Sequence, residues 1–350
     1  MILVPVALSV HWLIPDAHTL VFGSAALAII PLAGWMGRAT EALAVRAGEG
    51  VGGLLNATFG NAAELVIALA ALRHGLYDVV KASIAGSIIG NILLVLGAAM
   101  LAGGLRFRSQ HYNITAARSQ ATMLLIAAIS LIIAGAFRDV VQPGAPKLIG
   151  LSVAIAAVLL VVYVCNLVFS LVTHRQLFQG SGEVPAAGEE EVLAWSARKG
   201  LTVLGLATAA IAWMSEILVA AIEPAAKDLG LGKLFVGVFV VAIIGNAAEH
   251  STAIVAALRN RMDLSLSIAI GSSVQIALFV APLLVLVSLV VGPAPMDISI
   301  RPGLTLCVLL SVFIAAPVAG DGESSWLKGV ALLAVYLIFA LAFLAVPDTP

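Results

Sequence analysis

Long runs without a formal charge constrain this chain most. Seven stretches of at least nineteen residues contain no Asp, Glu, Lys or Arg: 17–37, 82–105, 119–137, 148–174, 264–296, 302–320 and 329–347. A helix needs about 20 apolar residues to cross the hydrocarbon core of a bilayer, so each run is long enough to span. Three further runs qualify but for one acid each: 50–72 with Glu64, 200–222 with Glu216, and 234–258 with Glu249. That predicts ten helices. An eleventh, Ile2–Ile14, is short and lacks the basic start of a signal peptide, so it reads as a retained first helix. With 11% charged residues and 61% hydrophobic ones, a water-soluble fold is excluded. The runs are too long and continuous for a β-barrel. A net charge of −1 and scattered basic residues exclude nucleic-acid binding through a basic surface. Cys165 and Cys307 lie in apolar runs and read as small buried hydrophobes. The expectation is an all-α polytopic membrane protein.

The only long polar linker, 174–198, carries Gly180, Gly182, Pro185 and Gly188, then the acid run Glu189, Glu190 and Glu191. It divides the chain into a short first helix (1–16), an N-terminal five-helix half (17–173) and a C-terminal five-helix half (199–350). With eleven spans, eleven of the 18 Lys and Arg residues fall on the side of the N-terminus and the linker. The positive-inside rule places that side in the cytoplasm. The expected location is the cell (inner) membrane of a prokaryote.

The halves repeat. Gly60-Asn61-Ala62-Ala63-Glu64 recurs as Gly245-Asn246-Ala247-Ala248-Glu249, and Gly86-Ser87 recurs as Gly271-Ser272 at the same offset of 185. Five spans per half make the second half start on the opposite side of the membrane, so the repeats are inverted. Inverted repeats bring matching positions together at the bilayer midplane, where transporters bind their cargo.

A carboxylate inside a membrane helix costs about 2.5–3.5 kcal/mol on insertion scales. This chain places Glu64 and Glu249 at the same point of each repeat. Two facing carboxylates in a low-dielectric site are relieved by protons or by a divalent cation. The expected site exchanges one for the other. A hard cation such as Ca²⁺ takes six to eight oxygens, more than two glutamates supply. Asn61, Asn246, carbonyls near Gly60 and Gly245, or water would complete the set. Ser87, Asn91, Ser272, Ser273 and Gln275 form supporting polar stripes. His250 and Glu216 are candidates for a proton pathway, and Glu216 is alternatively a buried partner of Arg38. The bland alternatives stay open: the repeated glycines also serve close helix packing, and membrane Ser and Thr also back-bond to carbonyls.

The segments Asn56–Glu64 and Gly245–His250 resemble the two signature repeats of the calcium/proton exchangers, a branch of the calcium/cation antiporter superfamily. Gly86–Asn91 and Gly271–Ile276 resemble that family's companion segments. The resemblance implies eleven helices, ten of them in two inverted halves. It also implies Ca²⁺ binding by Glu64 and Glu249, and neighbouring helices that slide to alternate access. Sodium-coupled relatives carry a Thr-Ser-x-Pro-Glu core with further acids. Here Ala63 and Ala248 replace the proline, and Asn91 and Gln275 are amides, which favours protons. Eukaryotic members carry a regulatory N-terminal extension, and this chain, which starts almost at its first helix, is expected to lack that autoinhibition. The reading is a Ca²⁺/H⁺ antiporter exporting cytosolic Ca²⁺, with a Na⁺/Ca²⁺ exchanger or another divalent cation/proton exchanger as the alternative. An intramembrane enzyme would need an activated nucleophile or a metal-binding HExxH pair, and neither is present. The expected partners are Ca²⁺, H⁺ and the lipid bilayer. No cofactor is expected, Ca²⁺ being cargo, and a homo-oligomer is compatible with the sequence.

Overall fold

In the computed structural model, residues 2–140, 146–174, 176 and 195–345 are described. The acid run Glu189–Glu191 lies outside them. The elements are α1 (Leu3–Leu13), α2 (His18–Ala47), α3 (Glu49–Phe59), α4 (Ala62–Arg73), α5 (Tyr77–Arg106), α6 (Ile114–Val140), α7 (Pro146–Thr173), α8 (Ala197–Leu229), α9 (Lys233–Leu258), α10 (Met262–Val287), α11 (Pro302–Gly320) and α12 (Trp326–Leu344). Among the described residues, nine helices are long and apolar enough to span. The stretch 50–72, expected as one span, is instead two shorter helices interrupted at Gly60-Asn61. α1 has 11 residues, short of a full span. The expected eleven spanning helices are therefore not reproduced as eleven continuous ones.

The two repeats fold differently at the matching point. α3 stops at Phe59 and α4 restarts at Ala62, whereas α9 runs unbroken through Gly245. In exchange, α9 takes a π-helical turn at Val236–Val241, closer to its start. The partner helices are more alike. α5 carries a π-turn at Gly90–Val95, which includes Asn91 of its polar stripe, and α10 one at Ile276–Val280, just beyond Gln275. Such widened turns recur at functional sites because they redirect side chains without ending the helix.

The helix directions follow from contacts. Gly237 of α9 faces Ala82 and Ser83 of α5, and further along Asn246 meets Ser87, so α9 and α5 run parallel. α4 and α5 are joined by a tight turn and run antiparallel. α4 and α9, the two glutamate-bearing helices, thus point in opposite directions, as inverted repeats require.

Burial is concentrated in α4, α5, α9 and α10, with α2 and α8 packed along one flank. The long pair α2 and α8 has 30 and 33 residues, about 45–50 Å at 1.5 Å per residue, longer than a hydrocarbon layer of about 30 Å, and the excess carries the charged ends with Arg38, Glu41 and Arg46 of α2 and Arg198, Lys199, Glu223, Lys227 and Asp228 of α8. Small residues set the contacts, since lipid offers no hydrophobic drive between helices. Ala25, Ala28, Ala39 and Ala42 line the buried face of α2, and Gly329 of α12 sits on the backbone of Gly97 and Leu101 in α5.

Loops from each half grip the other half. On the linker side, Gln110 Nε2 donates to Ala257 O at 2.8 Å and Asn260 Oδ1 at 3.0 Å, holding the turn between α9 and α10. The same segment makes two short antiparallel strands, Gln110↔Ser324 and His111↔Glu323. On the opposite side, the 288–301 segment holds the turn between α4 and α5. Tyr77 Oη donates to Ala294 O at 2.6 Å, and Arg301 reaches Asp78 at 2.7 Å. The buried Lys81 Nζ meets Asp297 Oδ1 at 2.9 Å, and that carboxylate also accepts from the Ser299 hydroxyl and amide. Burial pushes the Asp297 carboxyl up, but the Lys81 charge and the Ser299 donors outweigh it and hold Asp297 below the usual carboxylate range.

Cys165 is exposed and Cys307 half-buried, and both are free, which corrects the expectation that they are buried hydrophobes. Cys165 sits on an outward face of α7, whereas Cys307 on α11 packs partly against the core. Apolar sequence alone does not separate a lipid-facing position from a core one.

Candidate functional site

The two glutamates meet where the halves cross. Glu64 lies in the first turn of α4, which begins right after the Gly60-Asn61 interruption, and is 8% exposed. Glu249 lies in mid-helix on α9, close enough to Glu64 for their charges to interact. Each packs against the glycine of the other repeat. A methyl group on Gly245 would lie 2.8 Å from Glu64 Cγ, and one on Gly60 would lie 3.7 Å from Glu249 Oε1. Glycine at Gly245 is thus what lets Glu64 approach the α9 backbone, whereas at Gly60 the Glu249 carboxylate is at ordinary contact distance.

The amides cross over in the same way. Asn246 Nδ2 donates to Glu64 Oε1, to Ser87 Oγ at 3.0 Å and to Ala242 O at 2.9 Å, while Ser87 Oγ donates to Glu64 Oε1. Asn61 Nδ2 donates to Gln275 Oε1 at 2.6 Å. Ser272 is placed to donate to Glu249. In each repeat, then, the asparagine is anchored to the polar stripe or the glutamate of the other.

Four oxygens here are shut from solvent with no hydrogen-bond partner among the described residues: Glu64 Oε2, Glu249 Oε2, Asn61 Oδ1 and Asn246 Oδ1. Buried polar atoms are almost always paired, so four such acceptors on repeat-related residues are oxygens that a proton donor or a cation would satisfy. Among the described residues no group of three or more His, Cys, Asp or Glu could hold a metal ion. The carboxylates number two, and further oxygens would come from amides, hydroxyls, the backbone or water.

Other candidates fall at varying distance from this cluster. Asn91 is buried one turn beyond Ser87 on α5, with Nδ2 unpartnered. His250 has a buried, unpartnered Nε2. Ser273 spends its hydroxyl on Ala269 O at 3.0 Å, and Thr252 bonds Ala248 O at 2.9 Å, so both take the bland back-bonded role. Glu216 is not the partner of Arg38. It pairs with Arg73 at 2.9 Å and His74 at 2.8 Å at the end of α4, while Arg38 lies over the Trp35 ring. The sequence reading missed the Lys81–Asp297 pair; Lys81 lies six residues before Ser87 on α5, and its partner is 216 positions away. A lysine at the edge of a charge-free run was the one available signal.

Accessibility differs on the two sides of the cluster. Gly60 and Ser267 are exposed, and Gly271, Gln275 and Glu249 are partly accessible. At the repeat-related position on α5, Gly86 is covered by the backbone of Val238.

Comparison with known proteins agrees with this architecture. Residues 17–172 and 199–345 match the family described as "Sodium/calcium exchanger protein". A protein named "Ca(2+)/H(+) antiporter" from Aphanothece halophytica is 44% identical, with 100% of this chain and 96% of that protein covered. The "Ca(2+)/H(+) antiporter ChaA" of Bacillus subtilis is 42% identical over 95% of this chain and 93% of that protein. The solved structure of native YfkE superposes with a TM-score of 0.84 at 37% identity, covering 98% of this chain and 97% of that one. A solved structure described as the H⁺/Ca²⁺ exchanger CAX shares the fold, with a TM-score of 0.72 at 15% identity over 98% of this chain and 89% of that one. This chain is a multi-pass membrane protein that belongs to the sodium/calcium exchanger protein family.

Proposed function

We propose that this protein is a Ca²⁺/H⁺ antiporter of a prokaryotic cell membrane, in which Glu64 and Glu249 bind either one Ca²⁺ or protons. The observation that carries the reading is the quartet of buried, unpartnered oxygens, one carboxylate and one amide from each repeat. Six to eight oxygens suit Ca²⁺, and two backbone carbonyls or waters would bring four to six. Two carboxylates balance a divalent charge when ionised, and two protons leave the empty site neutral. The site therefore has two low-energy occupancies and resists standing empty. That is the requirement for obligate exchange. The names of the close relatives support the choice of Ca²⁺ and H⁺.

The remaining candidates take supporting roles in this reading. Ser87 and Ser272 orient the two carboxylates, Gln275 holds Asn61, and Asn91 and His250 extend the polar surface for proton movement. The basic-residue asymmetry places the linker side in the cytoplasm. Gly60 is exposed and Gly271 and Glu249 partly so, whereas Gly86 is covered, which supports entry from the linker side. Alternating access would close this side and open the other.

Uptake of ⁴⁵Ca²⁺ into proteoliposomes, with and without an imposed pH gradient, tests the reading. Uptake should follow the pH gradient and ignore a sodium gradient. Uptake that follows sodium would make the chain a Na⁺/Ca²⁺ exchanger.

A further inference from the structure

Glu216 is the single acid in the apolar run 200–222, and the exchange site does not use it. It lies on α8, in the C-terminal half, yet both of its carboxylate oxygens are engaged by the N-terminal half. Arg73 Nη1 donates to Oε1 at 2.9 Å, and His74 Nε2 lies 2.8 Å from Oε2. A carboxylate only accepts, so His74 is the donor in that contact.

Arg73 and His74 close α4, the helix whose first turn carries Glu64. At 1.5 Å per residue, the bridge lies about 14 Å beyond Glu64 along α4. That is toward the side opposite the linker, where α4 turns into α5. α4 and α8 pack against each other there. Ala70, Ala71 and Leu72 of α4 and Met214, Ile217 and Leu218 of α8 are buried, so apolar side chains fill the space inward of the bridge.

The linker side differs. At the repeat offset His74 corresponds to Arg259, and each residue caps the C-terminus of a glutamate-bearing helix. Arg259 forms no ion pair among the described residues. It lies on the side where Gly60 and Ser267 are exposed. The covered side of the site thus carries a bridge between the halves at the tip of its glutamate helix, and the accessible side does not.

We propose that Glu216 is a latch that holds the side opposite the linker shut, and that its bridge to Arg73 and His74 breaks each time the site opens there. This rests on the exchange reading given above. Alternating access needs the two halves to move against each other, and this contact joins the halves on one face only. The Glu216 side chain is 36% exposed, and an ion pair that exposed is weak. Weakness suits a contact that breaks in every cycle, and the two contacts together bias a two-state equilibrium about three- to tenfold. On the latched side Ca²⁺ is the product, so the latch limits its return.

The test measures Ca²⁺ dependence from each face separately, in oriented vesicles or by proteoliposome populations sorted by orientation. Apparent affinity from a face is reduced by the fraction of protein open there, and the latch keeps that fraction small on the side opposite the linker. Glu216→Gln should therefore lower the KM for Ca²⁺ presented on that side about three- to tenfold and leave the linker-side KM within about twofold. A purely local charge effect has the opposite sign: it leaves Arg73 uncompensated at this mouth, repels Ca²⁺ and raises that KM. A second readout is chemical. In a Cys165→Ala/Cys307→Ala background, an Ala71→Cys reporter should react with a membrane-impermeant thiol reagent from that side about three- to tenfold faster when Glu216→Gln is added. Arg73→Gln should accelerate the same labelling, and it decides the question if Glu216→Gln does not fold. Unchanged labelling, or an opposite-face KM that Glu216→Gln leaves unchanged or raises, overturns the proposal. A wild-type protein that moves no Ca²⁺ from either face would instead overturn the exchange reading itself.

Discussion

Asn61 and Asn246 are equivalent in sequence but not in the structure, and this predicts unequal effects of the same substitution. Asn246 donates to the Glu64 carboxylate, and a hydrogen bond to a charged group contributes about 1.5–3 kcal/mol. Asn61 donates to the neutral Gln275 amide, a bond of about 0.5–1.5 kcal/mol. Each 1.4 kcal/mol is a tenfold change in affinity. Ca²⁺ requires ionised Glu64, so Asn246→Ala should weaken Ca²⁺ binding about 10- to 100-fold at fixed pH. Asn61→Ala should weaken it about 2- to 10-fold. Each variant also loses one of the two unpartnered amide oxygens, which adds to both effects without erasing the gap. Calorimetric titration of Ca²⁺ into the purified variants in detergent reads both numbers, and Asn246→Ser, which keeps a donor, should recover part of the loss. Equal effects, or a larger effect at Asn61, would refute the assignment of Asn246 as the support of Glu64.

Glu64→Gln and Glu249→Gln should each abolish exchange in proteoliposomes while the protein stays folded by gel filtration; wild-type rates in both would remove the two-carboxylate site. Gly245→Ala places a methyl group 2.8 Å from Glu64 Cγ and should lower Ca²⁺ affinity by displacing that carboxylate, whereas the surface-facing Gly34→Ala should not. Lys81→Ala or Asp297→Asn leaves one member of a buried pair alone and should cost about 3–5 kcal/mol in thermal or denaturant unfolding, much of it recovered in the apolar double variant Lys81→Met/Asp297→Leu. Since the folded Asp297 carboxyl is held below its unfolded range, its stabilisation is present above about pH 4 and lost as pH falls through the lower folded value. The stability gap between wild type and Asp297→Asn should therefore be constant near neutrality and close only in acid.

The membrane class, the repeat and the pair of glutamates were legible in the sequence because each is carried by local pattern. Charge-free runs mark helices, and the identity of Gly60–Glu64 with Gly245–Glu249 marks equivalent positions. What the repeat hides is the difference between its copies. The same five residues interrupt a helix in one half and continue it in the other, a difference that the shared five residues do not encode. The partners of Glu216 and Lys81 were also out of reach, since ion pairs across 143 and 216 positions depend on which turns the fold brings together. The apolar positions of Cys165 and Cys307 misled for a related reason, because lipid and core both accept them.

The central claim is that Ca²⁺ and protons compete for Glu64 and Glu249. Linkage then fixes a sign: Ca²⁺ binding must release protons, and apparent Ca²⁺ affinity must rise with pH until the empty pair is fully ionised. Titrating Ca²⁺ into the purified protein by calorimetry, in buffers of different ionisation enthalpy, counts those protons directly. The account predicts measurable proton release in wild-type protein, reduced in Glu64→Gln. Ca²⁺ binding with no proton release from mildly acidic to mildly alkaline pH would contradict it.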